Sequence, residues 1–430
     1  MYTPTLRTAS SRSQIAERPS RTAHGAPADS VELSSTLDPR DEALALFNAG
    51  RREEAVVTLQ EALAAATTDP QGWNDLGNML AHLDRLSEAA TAFRRALGRA
   101  PRSAALWNNL GAVLQRDGHA VGAECAFRRA IALQDNFHQA HQNLAQLLES
   151  RGESLEAARH HCLAFVHGPR DGKTFAMLGL AYYHLGKMDA AAQVYRDWLN
   201  AEPDNPVARH RLAACLREGV PTRVSDAYVE ATFDAFAPTF DTHLRELGYQ
   251  GPALIAQALA DCGTGPVSWR VLDAGCGTGL CGEVLRPFAS QLDGVDLSAA
   301  MLARAYPRGL YDRLEKSELT AFMNSQRHAY DLVAAADSFN YFGELFPVFE
   351  AAANALVPGG VLVFTVEDGD GRCGDSGWHL AMHGRYVHDS RTVMQWLDLA
   401  GFSLSCVRSA ALRRELGEEV HGRVFAARRR

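Results

Sequence analysis

Residues 270–280 read RVLDAGCGTGL, an apolar run closed by an acid, Asp273, and followed by glycine at Gly275, Gly277 and Gly279. Glycines on alternate positions let a backbone come close to a ligand. A dinucleotide site also uses a strand, a glycine loop and a helix, but with the spacing G-x-G-x-x-G and a pyrophosphate on the helix N-terminus. Here the spacing is G-x-G-x-G, and a carboxylate two residues before the first glycine would repel a diphosphate. The same carboxylate would favour a nucleoside ligand that carries a cationic amino group.

The elements that must position this loop follow residue 221. Apolar runs at 270–274, 292–296, 330–336, 360–367, 403–407 and 420–426 are mostly separated by helical stretches such as 280–288 and 299–306. That alternation predicts a mostly parallel α/β sheet covered on both faces, with ligands at the carboxyl ends of its strands. Ahead of the first strand, residues 233–249 are aromatic-rich with amphipathic spacing. They either pack into the core or form a lid, with Tyr228, Phe236 and Phe240 shielding a cation from water.

The first half of the chain repeats every 34 residues. Trp73, Leu76, Gly77, Ala89, Phe93 and Ala96 recur as Trp107, Leu110, Gly111, Ala123, Phe127 and Ala130. The next registers are His141, Leu144, Ala145, Ala157, His161 and Ala164, then Phe175, Leu178, Gly179, Ala191, Tyr195 and Trp198. The pattern resembles the tetratricopeptide repeat, a helix-turn-helix unit, which implies an all-α solenoid. Residues 36–69 read as a degenerate first repeat and 206–219 as a capping helix, so the expected domains are a tail at 1–35, repeats at 36–221 and a second domain at 222–430. The stretches WND (73–75), WNN (107–109) and HQN (141–143) predict a row of amides along the groove, able to hold an extended peptide; the alternative is that they are merely solvated.

VLDAGCGTG resembles the first motif of class I S-adenosylmethionine-dependent methyltransferases, and the resemblance extends over residues 222–430. It implies a Rossmann-like domain with a mostly parallel seven-stranded sheet, S-adenosylmethionine as cofactor, and roles for particular residues. Asp273 and the loop of Gly275, Gly277 and Gly279 would receive the amino-acid part of the cofactor. Asp296, in LDGVDLS, matches the acid that takes both ribose hydroxyls, and Leu297 and Met301 would flank the adenine, although Met301 suits a helix core equally. The acid beside the adenine amino group and its apolar neighbour match Glu318 and Leu319, with Glu315 as a competitor. YDLVAAADSFNYF resembles the fourth-strand motif, with Asp337 facing the sulfonium, and ALVPGGVLVFTVE (355–367) resembles the family's turn into its fifth strand. DSFN lacks the prolines of the D/N-P-P-Y/F stretch carried by amino-directed DNA base methyltransferases, which disfavours DNA as substrate.

Transfer from a sulfonium needs a protein base only when the acceptor arrives protonated. Residues 377–390, GWHLAMHGRYVHDS, should cross the carboxyl end of the sheet; His388 and Tyr386 are the candidates for a catalytic or substrate contact, and Arg385 would suit an acidic acceptor. His379 and His383 lack a third ligand for a metal. The chain as a whole resembles predicted bacterial methyltransferases that carry tetratricopeptide repeats. This implies a protein or peptide partner in the groove and a small-molecule or protein methyl acceptor. Two alternatives stay open: an adaptor that binds cofactor without turnover, and a nicotinamide dehydrogenase.

The totals fit this reading. A length of 430 residues allows two or three domains, and a formal charge of -8 argues against a general nucleic-acid binder. Eight scattered cysteines without a CxxC pair fit a reducing cytoplasm. No apolar run approaches a membrane span. The Arg-bearing, Ser-rich stretch 1–35 reads as a disordered tail, with a transit peptide as the alternative.

Overall fold

The computed structural model describes residues 38–65, 69–261, 268–369, 371, 373–415 and 418–430; the tail expected at 1–35 lies outside them. Packing divides the chain into a unit that ends at Lys173 and one that runs from Thr174 to Arg430. The change of secondary structure after residue 221 therefore falls inside the second unit.

In the first unit the helices come in pairs: α1 (Pro39–Asn48) with α2 (Arg52–Ala65), α3 (Pro70–His82) with α4 (Leu86–Arg99), α5 (Ala104–Arg116) with α6 (Ala120–Leu133), and α7 (His138–Ser150) with α8 (Ser154–His167). The second unit opens in the same style with α9 (Phe175–His184), α10 (Met188–Ala201) and α11 (Pro206–Leu216). Within each pair the turn passes through a left-handed residue, and these residues, Gly50, Asp84, Gly118, Gly152 and Gly186, stand 34 apart. Side chains cap several of the first helices, among them Asp69 on α3, Ser103 on α5 and Thr174 on α9. The small residues of the repeat meet an aromatic ring from the paired helix: a Cβ on Gly77 would lie 2.8 Å from Phe93, and one on Gly111 would lie 2.6 Å from Phe127.

The expected amide row takes a different form. Asn109 Nδ2 donates to Asn74 Oδ1 at 3.1 Å and Asn143 Nδ2 donates to Asn108 Oδ1 at 2.9 Å, joining neighbouring pairs. Asn108, Asn109 and Asn143 are buried, so these amides are committed to the stack itself.

In the second unit α12 (Asp226–Phe236), α13 (Phe240–Glu246) and α14 (Gly251–Asp261) lead into the sheet. Its strands are β1 (Trp269–Ala274), β2 (Ala289–Asp296), β3 (Arg313–Lys316), β4 (Tyr330–Ala335), β5 (Leu356–Asp368), β6 (Trp378–Leu380), β7 (Tyr386–His388), β8 (Phe402–Glu415) and β9 (Glu418–Arg429). Between them run α15 (Gly282–Leu285), α16 (Ala299–Ala305), α17 (Leu319–Ser325), α18 (Phe346–Ala355) and α19 (Ser390–Leu399). Seven strands form the main sheet in the order β3-β2-β1-β4-β5-β9-β8, all running in one direction except β9, which is antiparallel to both of its neighbours. The short β6/β7 hairpin adds to the edge of β5 beyond the end of β4, where Asp368 pairs with His388.

Both faces of the central strands β1, β4 and β5 are buried, as their near-continuous apolar runs require. Val271, Leu332, Val361 and Val363 face Ile255 and Leu259 of α14. Leu272, Val333, Leu362 and Phe364 face the opposite way, toward Phe322 and Phe349 of the helices on that side. The chain runs from β1 outward to β3 and then returns to β4 on the other flank of β1. A crevice is left at the carboxyl ends of β1 and β4, where open α/β sheets bind ligands.

Because Phe127 is fully buried, Gly111→Ala should destabilise the protein by about 1–3 kcal/mol through overpacking. Urea unfolding followed by circular dichroism measures this; an unchanged midpoint would show that the ring can move aside.

Candidate functional site

A cavity opens at that crevice. Its wall includes Asp273, Gly275, Gly277, Asp296, Leu297, Met301, Glu318, Leu319 and Asp337, so eight of the nine residues expected at a cofactor lie together there, with Met301 beside them. The ninth, Gly279, closes the loop from outside, where a Cβ would crowd Tyr311 at 3.0 Å.

Gly275, Gly277 and Gly279 hold φ of 78°, 54° and 87°, values that side chains rarely adopt, which explains three glycines on alternate positions. The amides of Gly275 and Cys276 donate to the Val295 carbonyl at 2.9 and 3.0 Å. Gly277 N–H donates to Asp296 Oδ2 at 2.9 Å, and Ser298 N–H donates to Asp296 Oδ1 at 2.8 Å. These loop amides are therefore bound to protein oxygens, and one of them to a carboxylate. A diphosphate would find these donors taken and an unfavourable potential.

Asp273 is buried, and Tyr311 donates to its Oδ2 at 2.6 Å. Oδ1 has no protein donor among the described residues. Burial pushes the Asp273 carboxyl up to about 7, the Tyr311 hydrogen bond opposes this, and the nearby Asp296 charge adds to it. Burial also raises Asp296, against the hydrogen bonds from Ser298 and Gly277. Asp273, buried, and Asp296, half-buried, beside one cavity form a pocket that calls for a cation at Asp273 and for neutral donors at Asp296.

Glu318 caps α17 through Oε2, which accepts from Ala321 N–H at 2.7 Å. Its Oε1 is buried with no hydrogen-bond partner, the Arg223 guanidinium standing 3.8 Å away. An acceptor oxygen in that state needs a donor, which an exocyclic amino group would provide. The competitor, Glu315, lies on β3, pairs with Arg313 and is absent from the cavity wall.

The segment before β1 does cover the cavity, although not through all the expected residues. Phe240 lines it, together with Val229, Phe233, Leu244 and Tyr249. Tyr228 instead packs on His210 of α11, with ring centroids 4.4 Å apart, and Phe236 packs on Phe240 and His243. Two acids that sequence reasoning missed fasten this cover. Asp234 accepts from the Ser298 hydroxyl and from Ala300 N–H at the start of α16. Asp241 accepts from the Thr278 hydroxyl of the glycine loop and pairs with Arg308.

The two candidate catalytic residues lie elsewhere. His388 is fully buried, its Nε2–H shared between the carbonyls of Phe342 at 2.9 Å and Gly343 at 3.1 Å, and burial holds it down to about 4. Tyr386 is equally buried and donates to the Pro221 carbonyl at 2.6 Å. Neither reaches the cavity wall. Arg385, offered to an acidic acceptor, is also buried and paired with Glu367 and Glu415. The spacing in 377–390 marked a hairpin that turns its polar groups inward, which a loop reading could not show.

A sheet of this topology, with an acid at the end of β1, another at the end of β2 and a glycine loop between them, defines a class I methyltransferase fold. Comparisons agree. Residues 272–362 match the family model of a methyltransferase domain, and residues 40–104, 85–136 and 134–206 match that of the tetratricopeptide repeat. The chain thus joins tetratricopeptide repeats to a methyltransferase domain. It is 38% identical over 111 residues to methyltransferase-like protein 27 of Homo sapiens, covering 25% of this chain and 43% of that protein. It is 31% identical over 137 residues to malonyl-[acyl-carrier protein] O-methyltransferase of Enterobacter lignolyticus, covering 32% and 52%. The chain therefore spans about half the length of these curated relatives. Among solved structures, the N-methyltransferase NodS of Bradyrhizobium japonicum, in complex with S-adenosylhomocysteine, superposes with a TM-score of 0.38 at 18% identity, over 47% of this chain and 98% of its own. No described helix is long and apolar enough to cross a membrane.

A carboxyl near 7 when folded and near 3.9 when unfolded binds its proton more tightly in the folded protein. Its contribution is present below about pH 4 and is lost as pH rises through about 7. The loss is on the order of 4 kcal/mol for a fully buried group. Asp273→Asn should therefore gain stability relative to the ligand-free parent between pH 5 and pH 8 in urea unfolding. A difference that does not change with pH would contradict this.

Proposed function

We propose that the protein is an S-adenosylmethionine-dependent methyltransferase acting on a small molecule or a protein, with its repeats recruiting a protein or peptide partner. The reading rests above all on Asp273, a buried carboxylate with an open oxygen beside a glycine loop whose Gly275, Cys276 and Gly277 amides are already engaged. S-adenosylmethionine suits this donor set: its ammonium would meet Asp273, its ribose hydroxyls Asp296, and its adenine amino group Glu318 Oε1, with Leu297, Leu319 and Met301 against the ring. When bound, it supplies a methyl group on a sulfonium, a leaving group good enough that positioning can carry much of the rate. Phe233 and Phe240, held down by the Asp234 and Asp241 contacts, would keep water from that centre.

With neither His388 nor Tyr386 on the cavity wall, the proposed chemistry uses no histidine or tyrosine base from the β6/β7 hairpin. The repeats' partner-binding role rests on the helix-pair architecture, and the buried asparagines take no direct part in it.

Isothermal calorimetry with S-adenosylmethionine tests the cofactor assignment. The full chain should bind it. Asp273→Ala and Asp296→Ala should each weaken binding by about tenfold or more, the loss of one charge-assisted contact. Unchanged affinity in both variants, or binding of NADH instead, would refute the assignment. Release of S-adenosylhomocysteine with a cell extract separates an enzyme from an adaptor that binds without turnover.

A further inference from the structure

One part of the cavity wall is left over when the cofactor has been assigned: Asp337, with Tyr249 and Tyr341 near its charge and Phe233 packed on Tyr341. Among the described residues, the charged side chains on the cavity wall are four carboxylates, Asp273, Asp296, Glu318 and Asp337, and one guanidinium, Arg223. Arg223 is 43% exposed and pairs with Asp226 at 2.6 Å. Three of the four carboxylates face the cofactor on the reading above. Asp337 remains.

Its carboxylate is fixed from behind. Asn340 donates to Oδ1 and holds the Glu367 N–H at 2.9 Å through its own amide oxygen. Arg413 reaches Asp337 Oδ2 at 3.3 Å and also pairs with Glu367 and Glu415. Arg385 pairs with the same two glutamates. Three carboxylates thus surround two buried guanidiniums. His383 stands 3.2 Å from Glu367, but burial lowers its hold on a proton. A further cation, Arg211, donates to the Met382 carbonyl at 3.3 Å. Of the five charged partners in this network, Asp337 alone lines the cavity.

The wall around Asp337 is aromatic. Phe233 meets Tyr341 edge to face with centroids 5.4 Å apart. The hydroxyls of Tyr249 and Tyr341 have no hydrogen-bond partner among the described residues. Burial pushes both phenols up; the Asp337 charge, close to each, adds to this, while Arg385 at Tyr341 and Arg413 at Tyr249 oppose it. An anionic acceptor would meet a carboxylate and aromatic π faces, because Arg385 and Arg413 are occupied and lie outside the wall and Arg223 is paired with Asp226. A cation would gain from both surfaces.

On the reading that the rest of the cavity takes S-adenosylmethionine, we propose that this part receives the methyl acceptor as an amine, its ammonium form held between the Asp337 carboxylate and the rings of Tyr249 and Tyr341. For transfer the ammonium gives one proton to solvent, the N–C bond forms as the S–C bond breaks, and the sulfur keeps the electron pair.

Saturation-transfer NMR on the full chain with S-adenosylhomocysteine, using benzylamine and its near-isostere benzoate as probes, tests this. Benzylamine should show about fivefold or more the response of benzoate, and Asp337→Asn, compatible with the left-handed backbone there, should bring the ratio below about twofold. Equal responses, a preference for benzoate, silence from both, or an undiminished preference in a folded Asp337→Asn would overturn the inference. If that variant does not fold, the parent's ratio decides. Calorimetry with S-adenosylhomocysteine comes first: failure to bind it removes the cofactor reading, whereas binding without an amine preference removes only the acceptor assignment.

Discussion

Burying Asp273 with one open oxygen is the constraint on which the site depends. A carboxylate out of water is costly unless something compensates it, and among the described residues only the Tyr311 hydroxyl does so. The rest of the compensation must come from a ligand or a proton. The neighbouring loop cannot help, because the amides of Gly275, Cys276 and Gly277 are bound to Val295 and Asp296. This arrangement selects by charge before any shape is matched, since an anionic diphosphate raises the cost and an ammonium removes it.

The surrounding fold keeps that environment intact. Parallel strands buried on both faces bring Asp273, Asp296 and Asp337 to neighbouring carboxyl ends, and the return of the chain from β3 to β4 opens the crevice between them. The helices before β1 are held over it by Asp234 and Asp241, one attached to the start of α16 and the other to the glycine loop. On the hairpin side, His210 of α11 donates to the Gly384 carbonyl at 2.9 Å, next to Arg385 and its ion pairs. The last repeat-like helices are thus built into the same packed unit as the cavity.

Much of this could be read from the amino acids. The 34-residue period foretold the helix pairs because each register places a small residue against a ring, as at Gly77 with Phe93 and Gly111 with Phe127. Asp273 and Asp296 were legible because strand patterning placed them at strand ends, whereas Glu318 was matched through the family resemblance alone. What stayed hidden were properties of partners distant in sequence. WNN and HQN look like solvent-facing amides until Asn143 is seen on Asn108. His388 and Tyr386 look like site residues until their carbonyl partners at Phe342, Gly343 and Pro221 appear. The polar strand RLEK, Arg313–Lys316, lacks an apolar run and took its place from its neighbours in the sheet. Asp234 and Asp241 gave no signal at all, since acids on a half-exposed helix look alike whether or not they hold it down.

The most direct measurement is the carbon-13 carboxyl titration of Asp273 in the full chain, with and without S-adenosylhomocysteine. The ligand-free protein should titrate near 7, and the complex should stay ionised below about pH 5, because the ammonium of the ligand stabilises the charged form. An identical titration in both states would mean that no cation reaches Asp273, and the account of this site would be wrong.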